Sequence, residues 1–230
     1  MSVEGTRGTA RRTAVAAGAT GLVGRELITR LLRERRYARV VALARRPLSP
    51  TDPRLEVVDA AYDRLAAVLD GVTSKPGTLD VFCCLGTTLR VAGSEEAFRR
   101  VDHDYVLALG RWARTAGAHR MVVVSAFGAD AASRVFYNRV KGETERDLAA
   151  LGLASLVIVR PSLLAGDREE FRVGERLALI ATRPLRALLP ARVRPIAAAD
   201  VAQSMLNAAL ADAPAAVIDS ATMQGASAIH

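Results

Sequence analysis

Residues 136–145 read FYNRVKGETE, and within them Tyr137 stands four positions before Lys141. On a helix that spacing puts a phenol and an ammonium on one face, one turn apart. A phenol can give and take a proton, but a tyrosine ordinarily ionises near pH 10. Acid–base work near neutrality needs a shift of about 2–3 units, roughly 3–4 kcal/mol. One ammonium about 5 Å away, at an effective dielectric near 20, supplies about 3 kcal/mol, so a single lysine is about sufficient. The chain has 32 lysines and arginines, and only Lys75 and Lys141 are lysines. Arginine does not easily replace a lysine where a compact ammonium on a flexible stem is needed. The bland alternative is two residues that share a helix face. Ser125, at the end of the apolar run RMVVVSA (120–126), is the third candidate, placed to hold a carbonyl oxygen that Tyr137 protonates.

A second constellation lies near the N-terminus. GATGLVG places Gly18, Gly21 and Gly24 between an apolar run, TAVAAG, and an amphipathic one. Between a strand and a helix, such glycines allow a tight turn, a close backbone approach to a pyrophosphate and close packing of the helix on the sheet. The helix N-terminus adds free N–H groups and a positive dipole end. The next strand would end at LARRP. It carries Arg45 and Arg46 where a carboxylate for ribose hydroxyls would stand. Two guanidiniums match a 2′-phosphate, so the expected cofactor is NADP(H) and not NAD(H).

These groups need a scaffold. Short, mostly apolar runs at 13–18, 39–44, 54–59, 79–86, 120–126, 155–160 and 215–220 read as buried strands. Helical patterns at 22–34, 62–71, 94–117, 133–152 and 198–211 alternate with them. Leu22, Val23, Leu27, Leu31 and Leu32 form one stripe of the first helix. The longest, 94–117, opens on Ser94 with acidic residues and closes on Gly117. Strands apolar throughout and alternating with helices mean a mostly parallel, doubly wound α/β sheet of Rossmann type. Residues 1–12 read as a flexible basic tail. Residues 13–230 read as a single domain with a small C-terminal substrate lobe or lid over about 161–198, where Pro161, Pro184, Pro190 and Pro195 break the rhythm.

Composition narrows the classes. Residues 1–46 hold eleven arginines against Glu4, Glu26 and Glu34, so the net charge of +8 belongs to one end. Arg30, Arg33, Arg35 and Arg36 read as a solvated helix face. Aromatics make up 4%, which argues against stacking on nucleic acid. No apolar run approaches the roughly 18 residues of a membrane span. His103, His119 and His230 show no metal-ligand spacing. Adjacent Cys83 and Cys84 read as buried free thiols, which fit a reducing compartment and hence the cytoplasm. Asp59 either touches an adenine or caps a turn. Arg168, Glu169 and Glu170 in the lid either meet substrate or face solvent.

Taken together, GATGLVG, the strand-end Ser125, YNRVK, VRPS (159–162) and AAADVAQSM (197–205) resemble the short-chain dehydrogenase/reductase superfamily in its atypical branch. More narrowly, VFCCLGTT, RVDHDYVL and SAFGADAASRVFYNRVKGETE are similar to the Tat-interacting-protein oxidoreductase branch, whose members bind NADPH. The resemblance implies a NADPH-dependent reductase of a small carbonyl compound with Ser125, Tyr137 and Lys141 as its catalytic set. An NADPH-binding regulator is the alternative, since the substrate of that branch is unsettled. It implies that Gly18, Thr20, Gly21, Leu22 and Val23 line the pyrophosphate, with Gly24 packing the helix. Arg45 and Arg46 would take the 2′-phosphate, and Leu85, Gly86 and Thr87 would border the adenosine side. Lys141 would bind the nicotinamide ribose, and Pro161, Leu163 and Leu164 would face the carboxamide. Relatives often pair through helices, so the resemblance allows a homodimer and leaves the oligomeric state open. One departure stands out: many relatives place an asparagine in the fourth helix as a proton relay, where this chain reads RVDHDY.

Overall fold

Alternate residues of the first strand face opposite sides of the sheet, and both sides are covered. The computed structural model describes residues 11–45, 48, 51–69, 71–72, 78–165, 190, 192–211 and 215–226. Strand β1 (Arg12–Ala17) sends Ala14 and Ala16 into one apolar cluster and Val15 and Ala17 into another. That double burial is why the run carries no polar alternation.

Seven strands form one sheet in the order β3-β2-β1-β4-β5-β6-β9, every neighbouring pair parallel. They are β1, β2 (Tyr37–Ala44), β3 (Leu55–Asp59), β4 (Leu79–Cys83), β5 (Arg120–Val124), β6 (Leu156–Arg160) and β9 (Ala216–Asp219). The expected parallel, doubly wound α/β sheet is therefore present. Helix α1 (Leu22–Arg33) covers one face, and buries Val23, Leu27, Ile28, Leu31 and Leu32. The helix Ala198–Leu210, here α7, packs beside it, and Arg30 Nε reaches Gln203 Oε1 at 3.2 Å. The short α2 (Leu65–Val68), α5 (Tyr105–Thr115) and the Leu148 end of α6 (Phe136–Ala149) cover the other face.

Three local differences from the sequence reading have physical causes. The stretch expected as one helix at 94–117 is broken. Helix α3 (Leu89–Ala92) precedes it, capped by Thr88, and α4 (Glu95–Arg99) begins on Ser94, whose hydroxyl accepts from Ala97 N–H at 3.1 Å. A π-helical turn, Arg100–Asp104, then separates α4 from α5. The segment expected as a helix at 62–71 is a 3-10 turn (Tyr62–Arg64) followed by α2. Residue Arg12, assigned to the tail, opens β1, because its guanidinium grips the fully buried Asp80 at 2.6 Å and 2.7 Å. Residues 1–10 of the tail lie outside the described residues, as does Lys75.

Most of the expected lobe also lies outside them, including Arg168, Glu169 and Glu170. What is described is its base. Strands β7 (Leu164–Ala165) and β8 (Ile196–Ala197) pair in parallel and tie the two ends of that stretch together. Among the described residues no helix is long and apolar enough to cross a membrane.

Candidate active site

The glycine loop is fixed by sterics. Gly18 has φ +77°, and a Cβ there would meet the Cys84 backbone at 2.5 Å. Both facts exclude other residues. Gly21 donates its N–H to Gly18 O at 3.0 Å and stands as N-cap of α1 with no side chain to satisfy the first-turn amides. No acidic side chain sits in that turn. Amides left in this state at a helix N-terminus suit an anion. The residues present therefore fit a dinucleotide's phosphates, through backbone and not through side chains. Val23 is buried in the core, and Leu22 is half-buried. Thr20 is exposed, and its carbonyl accepts from Arg25 Nε at 2.8 Å. Gly24 lets the helix touch the loop, since a Cβ there would lie 2.1 Å from Gly18 O.

Arg45 follows β2 and is exposed, and Asp59 ends β3, also exposed. Arg46 lies outside the described residues. Tyr62, which the sequence reading passed over, stacks on Tyr105 with ring centroids 4.9 Å apart and 21° between planes. It lies near Gly18 and Arg45, and burial pushes its phenol up.

The second half of the site gathers at the carboxyl ends of β4, β5 and β6. Ser125 follows β5 directly and its N–H bonds Val159 O at 2.8 Å. Phe127 N–H reaches Pro161 O at 2.8 Å, which brings the Pro161–Leu164 segment alongside. Pro161 is buried, Leu163 is exposed and Leu164 half-buried. Tyr137 lies in the first turn of α6 against Phe98, centroids 5.5 Å apart. Lys141, one turn on, is buried.

Helix α6 sits close because Gly142 allows it: a Cβ there would fall 2.1 Å from Ala131 N. Gly86 is exposed, and a Cβ on it would stand 3.5 Å from Asp102 Oδ1 and 3.8 Å from Lys141 Nζ. The β4 loop, the π turn and α6 therefore converge on one point. Leu85 beside it is buried and Thr87 is half-buried.

Two buried carboxylates at this point were missed in the sequence. Asp102, fully buried on the π turn, accepts Thr87 N–H at 2.8 Å. Its Oδ1 forms an ion pair with Lys141 Nζ at 2.7 Å. Its carbonyl accepts from Thr144 Oγ1 at 3.0 Å. Burial alone would lower the Lys141 ammonium, but Asp102 and Tyr137 more than offset it and hold it above the ordinary value. Glu145 accepts the Ser125 hydroxyl proton and is clasped by Arg160, whose Nε lies 3.0 Å and 3.2 Å from its two oxygens. The only sequence signal for Asp102 was the departure from asparagine at RVDHDY. None marked Glu145.

Other candidates have structural roles. His103 bridges Asp104 at 2.7 Å and Asp147 at 3.0 Å, tying the π turn to α6. Cys83 is fully buried, and burial pushes its thiol up to about 11. Cys84 is half-buried, with Sγ 3.8 Å from Met205 Sδ. Among the described residues no cluster of three metal-ligating side chains occurs. Part of the basic excess is paired, as in Arg30–Glu26, Arg36–Glu34 and Arg39–Glu56.

Comparison with known proteins agrees with this geometry. A family profile described as NAD(P)H-binding matches residues 18–212. The protein named "Protein fmp52, mitochondrial" of Emericella nidulans is 36% identical over 166 residues, covering 70% of each chain. "Protein HTATIP2" of Rattus norvegicus is 38% identical over 168 residues, covering 70% of this chain and 66% of its own. Among solved structures, "MoeE5 in complex with UDP-glucose and NAD" superposes with a TM-score of 0.67 at 22% identity. It covers 89% of this chain and 74% of its own. At that identity the likeness speaks for the fold alone.

The fungal names correct one expectation. They place those relatives in mitochondria, so the cytoplasmic assignment is withdrawn. Free thiols separate reducing from oxidising compartments, and that argument never distinguished the cytosol from an organelle. The chain belongs to the NAD(P)H-binding, oxidoreductase-like family of Rossmann fold in which fmp52 and HTATIP2 stand.

Proposed function

We propose that the protein is an NADPH-dependent oxidoreductase of the short-chain type that reduces a small carbonyl compound, with Tyr137, Lys141 and Ser125 as its reacting and orienting groups. The observation that carries this reading is the position of Lys141. Its ammonium is buried at the mouth of the sheet under Gly86, one helical turn from Tyr137. A lysine there would hold a bound ribose, one helical turn from the phenol that would handle the proton.

The reduced nicotinamide would supply a hydride to the carbonyl carbon. Tyr137 gives its proton to the carbonyl oxygen, and Lys141 favours the resulting phenolate. The first-turn amides of α1 would hold the phosphates, and Arg45 would take the 2′-phosphate. Ser125 orients the oxygen. Its single proton is donated to Glu145, so the hydroxyl must turn before it donates to a carbonyl. That bond supports a second reading, a weakly catalytic NADPH-binding regulator.

Titration with NADPH and NADH, followed by nicotinamide fluorescence, tests the cofactor. NADPH should bind at least about tenfold tighter, and Arg45→Ala should remove most of that margin. A carbonyl screen then separates the readings. Under the first, Tyr137→Phe abolishes turnover while leaving NADPH affinity within a factor of about three. A wild type that binds NADPH but turns over no carbonyl favours the regulator. Binding of neither cofactor overturns both.

A further inference from the structure

Asp102 is fully buried and Lys141 nearly so, yet their charged atoms stand 2.7 Å apart. An ion pair removed from water is costly to form and worse to leave half-made. The chain invests local structure in this one. The π turn Arg100–Asp104 places Asp102 inward between two regular helices. π turns interrupt α-helices mostly where a side chain must be re-aimed. Thr87 N–H and Thr144 Oγ1 fix the aspartate from two other elements.

From this geometry we infer that Asp102 is the positioning residue that keeps Lys141 a charged ammonium in the dry site and holds it beneath the Gly86–Thr87 loop. In this role the carboxylate differs in kind from a neutral asparagine relay. An amide could accept from Thr87 and occupy the same space, but it could not balance a buried positive charge. The inference rests on the proposed function only in taking Lys141 as part of the site.

The ionisable groups facing Lys141 come from three elements: Asp102 on the π turn, Tyr137 on α6 and Cys83 on β4. Cys83 is fully buried, and burial holds its thiol in the neutral form near pH 7. Near neutrality Asp102 is thus the carboxylate that faces the ammonium among these groups. The pairs Arg99–Glu143 and His103–Asp147 tie α4 and the π turn to α6.

The chain's poverty in lysine makes a direct measurement simple. Protein grown with isotope-labelled lysine shows two side-chain signals, from Lys75 and Lys141. Lys75→Arg assigns them. The lysine chemical shift reports ionisation, and no cofactor is needed, so the result is independent of whether NADPH binds or turnover occurs. In the wild type, Lys141 should stay an ammonium past the ordinary lysine range, because Asp102, with Tyr137, outweighs the effect of burial. In Asp102→Asn its midpoint should fall by at least about one pH unit, because the largest opposition to burial is then gone.

A merely structural clamp gives a different result. Asparagine keeps the size and an acceptor for Thr87, so the midpoint would stay put. A fall of less than one unit, or a rise, overturns the inference. If Asp102→Asn fails to fold by circular dichroism, Asp102→Ser, which also retains an acceptor, is read in the same way. The wild type alone also decides: a Lys141 signal that titrates at or below the ordinary lysine value refutes the inference without any variant.

Discussion

Replacing Gly24 by alanine tests the loop geometry with a single methyl group. The new Cβ would stand 2.1 Å from Gly18 O, 2.8 Å from Gly18 C and 2.9 Å from Ala19 Cα. All three neighbours are backbone, so no side chain can swing aside. Ordinary contact needs about 3.2 Å or more to oxygen, so helix and loop must part by about 1 Å. The helix resists, because Leu27, Ile28 and Leu31 are buried beneath it.

Overpacking of this kind costs about 1–3 kcal/mol, and alanine returns up to about 1 kcal/mol of helix propensity. A net loss of about 1–2 kcal/mol should appear in urea unfolding. NADPH affinity should fall at least about tenfold, since the amides that hold the phosphates move by about 1 Å. Gly71→Ala is the control, because nothing lies within 4 Å of its Cβ position. If Gly24→Ala stays within about 0.5 kcal/mol of the wild type and binds NADPH within a factor of two, the steric account of the loop is wrong.

Two further outcomes follow from buried polar groups. Glu145→Ala removes the acceptor shared by Ser125 and Arg160, whose side chain is 35% exposed. The partial exposure tempers the penalty to about 2 kcal/mol, read as a lower urea midpoint at unchanged slope. Glu145→Gln should recover part of it. Burial pushes both thiols up, Cys83 to about 11. They remain protonated at pH 8, so native protein should react with iodoacetamide at least about tenfold more slowly than protein in urea. The unfolded thiol ionises near 9.0. Stability should therefore decline as pH rises from about 9 towards 11, where the unfolded chain releases the proton first. Equal native and unfolded labelling rates would refute the burial argument.

How legible these features were in the sequence depended on whether each was local. Apolar runs such as VVALA and VFCCL marked strands, because central parallel strands are covered on both faces. Strand β3, at the sheet edge with Glu56, Val57 and Asp59 exposed, was nonetheless bounded to within one residue. The glycine loop and the Tyr137–Lys141 spacing could be read because their geometry is set within a few residues. The break in 94–117 could not. Its capping signals at Ser94 and Gly117 were correct, but a π turn inserts one residue without any glycine or proline to announce it. Asp102 and Glu145 escaped for a related reason. Their partners lie on other elements, at Thr87 and Lys141 in one case and Ser125 and Arg160 in the other. A carboxylate's partner across a fold leaves no periodic trace in its own neighbourhood.

The strand order also bears on how the chain is made. By Arg160 six of the seven strands of the main sheet exist, and the last, β9, begins only at Ala216. Strand β9 pairs along β6, whose Val157, Ile158 and Val159 are buried in the finished protein. A ribosome adding about 5–20 residues per second needs roughly 3–11 s to cover that interval. For those seconds the nascent sheet carries an apolar parallel edge with unpaired amides, the kind of surface that recruits other chains. The cofactor loop and the Tyr137–Lys141 turn have by then already been synthesised. A dinucleotide that binds this early would stabilise the incomplete sheet while its edge waits, so the cofactor's supply in the cell would affect the yield of folded protein as well as its activity.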